Sequence, residues 1–483
     1  MHLSMVQRIL GLMLALFSLT MLPPVGVSLY YDDGHWYPFV GAFAVVGVVG
    51  AALYLPVRKV RRDLRLRDGF LIVALFWVGL GLAGATPLLI SDVPALSFTD
   101  AVFEAVSGFS TTGATVIVGL DSLPRSILYY RQQIQWLGGM SIIVLAVALM
   151  PMLGIGGMSL FKAETPGPVK DQKLTPRIAQ TARALWGVYV MLTIACAAGY
   201  LLAGMSLFDA IGHAFSTTST GGFSPYDASL GHFDSATVDA VATVFMFLGG
   251  ASFALHFTVF RNRDPRLYWR DPEFTSYFWL VVTIIGITTV YLWATSHMDH
   301  PLESLRYAAL QVVSLHTGTG YVTHDFANWP GALPAMLMLI SFISGCAGGT
   351  TGGMKVIRWL IVVKQAAVQF KHLVHPNAQI PVKLSGRVVP PQVISAVAGF
   401  FAVYFVVFGI MMMLLMTFGL DQVTAWSAVA ATLNNVGPGL GDVFVSYRDI
   451  PDAAKWVCTV AMLAGRLEVF TLLLLFTPDF WRK

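Results

Sequence analysis

Four glycines, Gly113, Gly222, Gly320 and Gly437, each close a similar run of small and hydroxyl-bearing residues. Six positions before them stand Ser107, Ser216, Ser314 and Ala431, and twelve positions before them Ala101, Ala210, Ala308 and Ala425. The strings at the glycines are Thr111-Thr112-Gly113, Thr220-Gly221-Gly222, Gly318-Thr319-Gly320 and Asn435-Val436-Gly437. Glycine opens backbone angles closed to other residues, so successive carbonyls can be turned to one side. Four such strands about one axis would present rings of carbonyl oxygens able to replace the water shell of a monovalent cation. The competing reading assigns these residues no chemistry beyond letting membrane helices approach closely. Four copies in one register, each after a short helical pattern, favour the ring, and a repeat of this kind is a fold-level signal.

A second cluster lies at Ser344–Lys355, where Gly345, Gly348, Gly349, Gly352 and Gly353 accompany Thr350 and Thr351. Each glycine costs a helix ~1 kcal/mol against alanine, so the span carrying them should break into an intramembrane loop at 344–354, below the ring. Arg466 falls inside a later apolar span, where a charge facing lipid costs ~2.5 kcal/mol or more. It must face protein or water. A pairing with Glu468 is one outlet, although positions two apart point to different helix faces. The sharper expectation is that Arg466 faces the pore, bonds the loop carbonyls and repels cations. Glu104 and Asp209, on the first two short helices, are read as structural groups that bond strand backbone or cap helices. His213 and His316 are read as packing residues.

These residues must be held by membrane-spanning helices. The chain has 483 residues, 56% hydrophobic and 12% charged, about half the charged fraction usual in soluble domains. Apolar runs of ~20 residues recur from end to end, so the fold class is an all-α polytopic membrane protein. Two spans within 1–68 precede the repeats and end in the basic cluster around Arg58, Lys59, Arg61, Arg62, Arg65 and Arg67, which the positive-inside rule makes cytoplasmic. Four repeats follow, at 69–178, 179–273, 274–390 and 391–483, each a span, a short pore helix, a glycine-centred strand and a second span. The loops between them are net basic, with Lys162, Lys170, Lys173 and Arg177, then Arg261 to Arg270, then Lys364 to Arg387. The expected topology is ten spans and four re-entrant segments around a central pore, with both termini cytoplasmic. Acidic residues on the outward side (Asp227, Asp234, Asp239, Asp325, Asp442, Asp449, Asp452) would concentrate cations or simply be solvated. The net charge of +4 lies in these loops and is no sign of nucleic-acid binding. Cys196, Cys346 and Cys458 are far apart and show neither metal-ligand spacing nor a disulfide framework. No cofactor is expected, and no nucleophile–base pair marks an enzyme.

Span, pore helix, glycine-centred loop and span, four times on one chain after two extra spans, resembles the Trk/Ktr/HKT superfamily of cation transporters. Asn435-Val436-Gly437-Pro438-Gly439 also reads like the potassium-channel string Thr-Val-Gly-Tyr-Gly, with Asn and Pro substituted. The resemblance covers essentially all of 1–483. It implies potassium uptake across a bacterial inner membrane through a gated, channel-like pore, with K+ as the permeant ion. The filter would be Thr111, Thr112, Gly113, Thr220, Gly221, Gly222, Gly318, Thr319, Gly320, Asn435, Val436 and Gly437. The gate would be Gly345, Gly348, Gly349, Thr350, Thr351, Gly352 and Gly353 with Arg466. It further implies a homodimer in membrane lipid and cytosolic TrkA-like regulatory subunits that bind NAD or ATP. The strands depart from strict four-fold likeness, which implies some sodium or rubidium passage. A secondary transporter with a midplane site would call for inverted repeats and carboxylates within the spans. Coupling of potassium to protons or sodium stays open at this point.

Overall fold

The computed structural model describes residues 2–60, 66–148, 174–384, 386–467 and 473–482. Lys162, Lys170 and Lys173 of the first inter-repeat connection, Arg61, Arg62 and Arg65 of the basic cluster, and Glu468 lie outside the described residues. The described chain is helical almost throughout, with two short two-stranded pairings. Helices α1 (Leu3–Ser18), α2 (Leu22–Tyr31) and α3 (Tyr37–Tyr54) form an N-terminal group. α1 packs on α3 and on α4 (Leu66–Ile90), the first span of repeat 1.

Each repeat then carries a buried pore helix: α5 (Phe98–Phe109) and, after the spans α6 (Arg125–Ala148) and α7 (Leu174–Leu202), α8 (Leu207–Thr218). α5 and α8 begin with a serine cap, Ser97 and Ser206, whose hydroxyl accepts the backbone N–H of Asp100 or Asp209 at 3.1 Å. Each aspartate in turn accepts the serine hydroxyl, so the helix start is fixed from both sides. Repeat 2 closes with α9 (Ala236–Gly250) and α10 (Phe253–Asn262). After the short α11 (Arg266–Arg270), repeat 3 comprises α12 (Pro272–Ala294), the pore helix α13 (Pro301–Thr317), α14 (Leu333–Ile340) and α15 (Val356–Val374). Repeat 4 has α16 (Pro391–Thr417), the pore helix α17 (Gln422–Leu433), capped by Asp421, and α18 (Asp452–Arg466); α19 (Pro478–Trp481) follows.

The packing of second halves on pore helices runs round a closed circuit. α6 of repeat 1 lies on α8 of repeat 2, α9 of repeat 2 on α13 of repeat 3, α14 of repeat 3 on α17 of repeat 4, and α18 of repeat 4 on α5 of repeat 1. Four repeats in one orientation around an axis are the arrangement expected from sequence.

The spans are less uniform than expected. Among the described residues, six helices are long and apolar enough to cross a membrane, or seven if the pair 236–250 and 253–262 is one bent span. The first spans and the N-terminal helices supply the six. Among the described residues, the second halves of repeats 1 to 3 are not uninterrupted apolar crossings because they carry polar or broken segments. α6 holds Arg131, Gln132, Gln133 and Gln135 on buried positions. Repeat 3 breaks between Ile340 and Val356, a little wider than the expected 344–354, and Ile343–Ser344 pairs in parallel with Met354–Lys355 to close the base of the loop. Repeat 2 also breaks, by 97° at Ala251–Ser252, which the sequence reading did not anticipate.

Candidate functional site

The four glycine-centred strands leave their pore helices by the same hydrogen bond. The N–H of Thr112, Gly221, Thr319 and Val436 donates to the carbonyl of Ser107, Ser216, Ser314 and Ala431 respectively, each at 2.8 Å. The residue two before each glycine adopts a positive φ: Thr111 at 51°, Thr220 at 52°, Gly318 at 73° and Asn435 at 55°. The glycines follow at 83°, 80°, 75° and 99°. Only glycine takes such angles freely, and a β-branched threonine there is strained by ~1–3 kcal/mol unless its surroundings impose it. The alternation repeats in all four copies, so the expected register, Gly113 with Gly222, Gly320 and Gly437, is also the structural one.

The strands meet one another in a circuit. A Cβ added to Gly113 would overlap the carbonyl oxygen of Gly221, one on Gly222 that of Thr319, and one on Gly320 that of Val436. The circuit closes at Gly437, where an added Cβ would lie 2.8 Å from the Thr112 oxygen. Each glycine therefore sits against the carbonyl preceding the glycine of the next repeat. No side chain fits where the strands meet, because a backbone carbonyl oxygen occupies the space beside each glycine.

On the side of the helix breaks, the repeat 3 loop packs against these strands. Cys346 N–H donates to Gly250 O at 2.8 Å, Thr350 N–H to Gly249 O at 3.2 Å, and Phe253 N–H to Gly348 O at 3.1 Å. The two broken spans are thus stitched together: the Gly249 and Gly250 carbonyls at the repeat 2 bend accept from the loop, and Phe253 N–H donates back to it. Thr350 Oγ1 lies 3.0 Å from Thr220 Oγ1. Gly352 lies against Asn435, 2.8 Å from the Asn435 Oδ1 if a Cβ is added, and Ser344 bonds the Gly352 carbonyl. Gly345 and Gly349 press on the Gly250 carbonyl, Gly353 packs on Ser344, and the Thr351 hydroxyl meets Lys355 Nζ at 2.7 Å. Arg466 reaches both structures. Its Nη1 donates to Thr350 O at 2.9 Å and its Nη2 to Thr111 O at 3.3 Å, with further bonds to Ser110 O and Thr111 Oγ1. The predicted loop and arginine are brought together, and the arginine also grips the first strand.

Comparison with known proteins agrees with this geometry. Residues 37–483 match the model of a family described as TrkH, cation transport protein. The chain belongs to the TrkH family. It is 53% identical over 483 residues to the Trk system potassium uptake protein TrkH of Halomonas elongata and 49% identical to that of Escherichia coli K12, covering all of both chains in each case. The crystal structure of the potassium transporter TrkH from Vibrio parahaemolyticus superposes with a TM-score of 0.94 at 50% identity, again over both whole chains. TrkH proteins are multi-pass membrane transporters, not enzymes.

Several groups at this TrkH-family site escaped the sequence reading. Arg131 is buried and paired with Glu104 at 2.8 Å. Glu104 accepts Val116 N–H at 2.9 Å and the Thr115 hydroxyl, while Arg131 Nη1 donates to Ser224 O at 3.2 Å. One ion pair therefore ties the outer ends of strands 1 and 2. Gln135 bonds strand 2 twice, giving Nε2–H to Gly221 O at 2.6 Å and accepting Phe223 N–H at 3.0 Å. Four polar residues within five positions of α6 were the available signal. Glu273, at the start of α12, accepts Ala347 N–H at 2.8 Å and Ile357 N–H at 3.1 Å, clasping both ends of the loop.

The outward acidic residues are largely occupied. Asp234 and Asp239 pair with Arg306, Asp452 lies 3.7 Å from Lys455, and Asp227 accepts the backbone N–H of Gly119 and Leu120. Asp209 accepts the hydroxyls of the capping Ser206 and of Tyr226. The His213 ring bonds Asp209 O and Ser224 Oγ, and His316 stacks on Tyr277.

Proposed function

We propose that this protein carries out potassium uptake across the bacterial inner membrane through a channel-like pore, with the four strands as its filter and the repeat 3 loop with Arg466 as its gate. The observation that carries the reading is the closed circuit of four glycines against four carbonyls, which leaves backbone oxygen as the lining of the narrowest passage. The potassium transport named in its close relatives supports the choice of ion. The permeant K+ binds only at the filter residues, and no cofactor belongs to this chain. Both termini face the cytoplasm, as the positive-inside rule reads from the basic loops. Two copies assemble as a homodimer, and separate cytosolic TrkA-like subunits that bind NAD or ATP act on the loops between repeats; both features follow from the family resemblance. The chain itself carries no glycine-rich nucleotide fingerprint between a strand and a helix.

Flux in proteoliposomes tests this directly, with potassium, rubidium and sodium supplied in turn and with an imposed pH gradient. Gly113→Ser, and the same change at Gly222, Gly320 and Gly437, should alter the potassium-to-sodium ratio while membrane insertion persists. Unchanged ratios in all four variants would remove the filter assignment. Uptake that requires a proton or sodium gradient would replace passive conduction with coupled transport. Nucleotide response by the purified chain alone would overturn the separate-regulator reading.

A further inference from the structure

The carbonyls of the four strands form three levels, and the levels are not four-fold. The inner level is Thr111, Thr220, Gly318 and Asn435, the middle Thr112, Gly221, Thr319 and Val436, and the outer the four glycines. One carbonyl at each level accepts a side-chain hydrogen bond: Thr111 from Arg466 at 3.3 Å, Gly221 from Gln135 at 2.6 Å, and Gly437 from Tyr447 at 3.0 Å. Among the described residues, no hydrogen-bond donor engages the other carbonyls of the three levels.

Both neutral donors are built into place. Gln135 is fully buried. Its Oε1 accepts the Phe223 N–H at 3.0 Å, and this assigns the amide so that Nε2 must face Gly221. A Cβ on Gly221 would lie 2.5 Å from the Gln135 Cδ, which explains why repeat 2 has glycine where the others have Thr112, Thr319 and Val436. Gly138, Gly249 and Gly465 each lie against the fourth residue before their filter glycine, Phe109, Thr218 and Leu433. That match puts Met246 and Met462 at the place of Gln135 in repeats 2 and 4, and a thioether donates nothing. Tyr447 is also buried, with its N–H on Thr115 O at 2.8 Å and its ring 5.3 Å from that of Phe103.

A carbonyl oxygen already accepting an N–H or O–H is a weaker ligand for a cation, because the donor hydrogen brings positive partial charge to the same lone-pair region. Potassium-over-sodium preference depends on the number and field strength of the carbonyls around the ion. We propose that Gln135 and Tyr447 are specificity-determining residues of this pore: each withdraws one oxygen from its level, leaving three at full strength, and so holds selectivity below that of a symmetric four-carbonyl ring. The proposal rests on the filter reading above.

The test is the potassium-to-sodium flux ratio of the full-length protein in proteoliposomes, measured for Tyr447→Phe, Gln135→Met and the pair. Each single change should raise the ratio about threefold or more, the weight of one neutral hydrogen bond, and the pair should raise it further. Tyr447→Phe keeps the ring in its packing, so it carries the test even if Gln135→Met fails to fold. Gly113→Ser is run alongside. If it shifts the ratio while Tyr447→Phe and Gln135→Met only lower thermal stability, both residues are braces and the inference falls while the filter stands. If Gly113→Ser and the same change at Gly222, Gly320 and Gly437 all leave the ratio unmoved as well, the filter reading falls and the inference with it. A lowered ratio in Tyr447→Phe would show that the hydroxyl aids selectivity, and would equally overturn the proposal.

Discussion

Replacing Arg466 with alanine should open a leak through the isolated protein. The guanidinium donates to Thr111 O at 3.3 Å, so a cation held by that same oxygen would stand roughly 5 Å from the charge. At an effective dielectric of ~20 the repulsion is about 3 kcal/mol, which suppresses occupancy of the inner level a few hundredfold. Alanine removes this charge together with the bonds to Thr350, Ser110 and Thr111. Tracer rubidium or potassium uptake into proteoliposomes without any regulatory subunit should rise tens to hundreds of times. Arg466→Lys keeps the charge but loses the planar fork that spans loop and strand, and should fall between parent and alanine. Deleting residues 346–351 should also raise the leak, and the double change should give less than the product of the two, since both remove one obstruction. A folded, membrane-inserted Arg466→Ala protein that conducts like the parent would refute the argument, because the pore would then be closed elsewhere.

Breaking the buried pair with Glu104→Gln leaves Arg131 uncompensated and should cost about 3–5 kcal/mol, read as a drop in melting temperature. The double change to Glu104→Leu and Arg131→Met should recover part of that loss. Glu273→Ala leaves the amides of Ala347 and Ile357 without their carboxylate acceptor, at about 1–3 kcal/mol. The background potassium leak should then rise severalfold and hydrogen exchange at those amides should quicken; unchanged exchange would show that the carboxylate does not hold the loop. Asp33, in the turn before α3, is partly buried, which raises its pKa. Hydrogen bonds from Ser28, Ser126 and His35 outweigh burial and hold it below the ordinary carboxylate value. A depressed folded value contributes stability above the unfolded pKa of about 3.9 and loses it as pH falls through the folded one. Asp33→Asn should therefore lower the melting temperature at pH 7, with the gap to the parent narrowing as the pH falls below about 4.

The ring of repeats was legible because its signal is local and recurs: the offset from small residue to glycine survives in every copy, and glycine tolerates a backbone that little else does. The repeat 3 loop was legible from glycine density alone. The repeat 2 bend was not. Gly249 and Gly250 are only two glycines, and the carbonyls they free find their donors about a hundred residues away, on Cys346 and Thr350. Sequence gives no measure of that pairing. Arg131 was missed for a related reason, since charge is visible in a sequence but burial is not, and its partner Glu104 sits on another helix. Gln135 could have been suspected, because a polar cluster within an apolar span must face something polar.

The four repeats around this axis sit on one polypeptide, and Arg466 shows what that permits. A homotetramer that placed an arginine at this level would place four, and their mutual repulsion within a few ångströms would drive the strands apart. Here the matching positions in repeats 1 and 2 are Gly139 and Gly250, with no charge to repel. Four unlike repeats on one chain thus turn an all-or-none substitution into a quarter-step. Each residue change alters one quadrant of the four-strand circuit, so the proposed filter can be adjusted in small increments that a symmetric tetramer has no means of sampling.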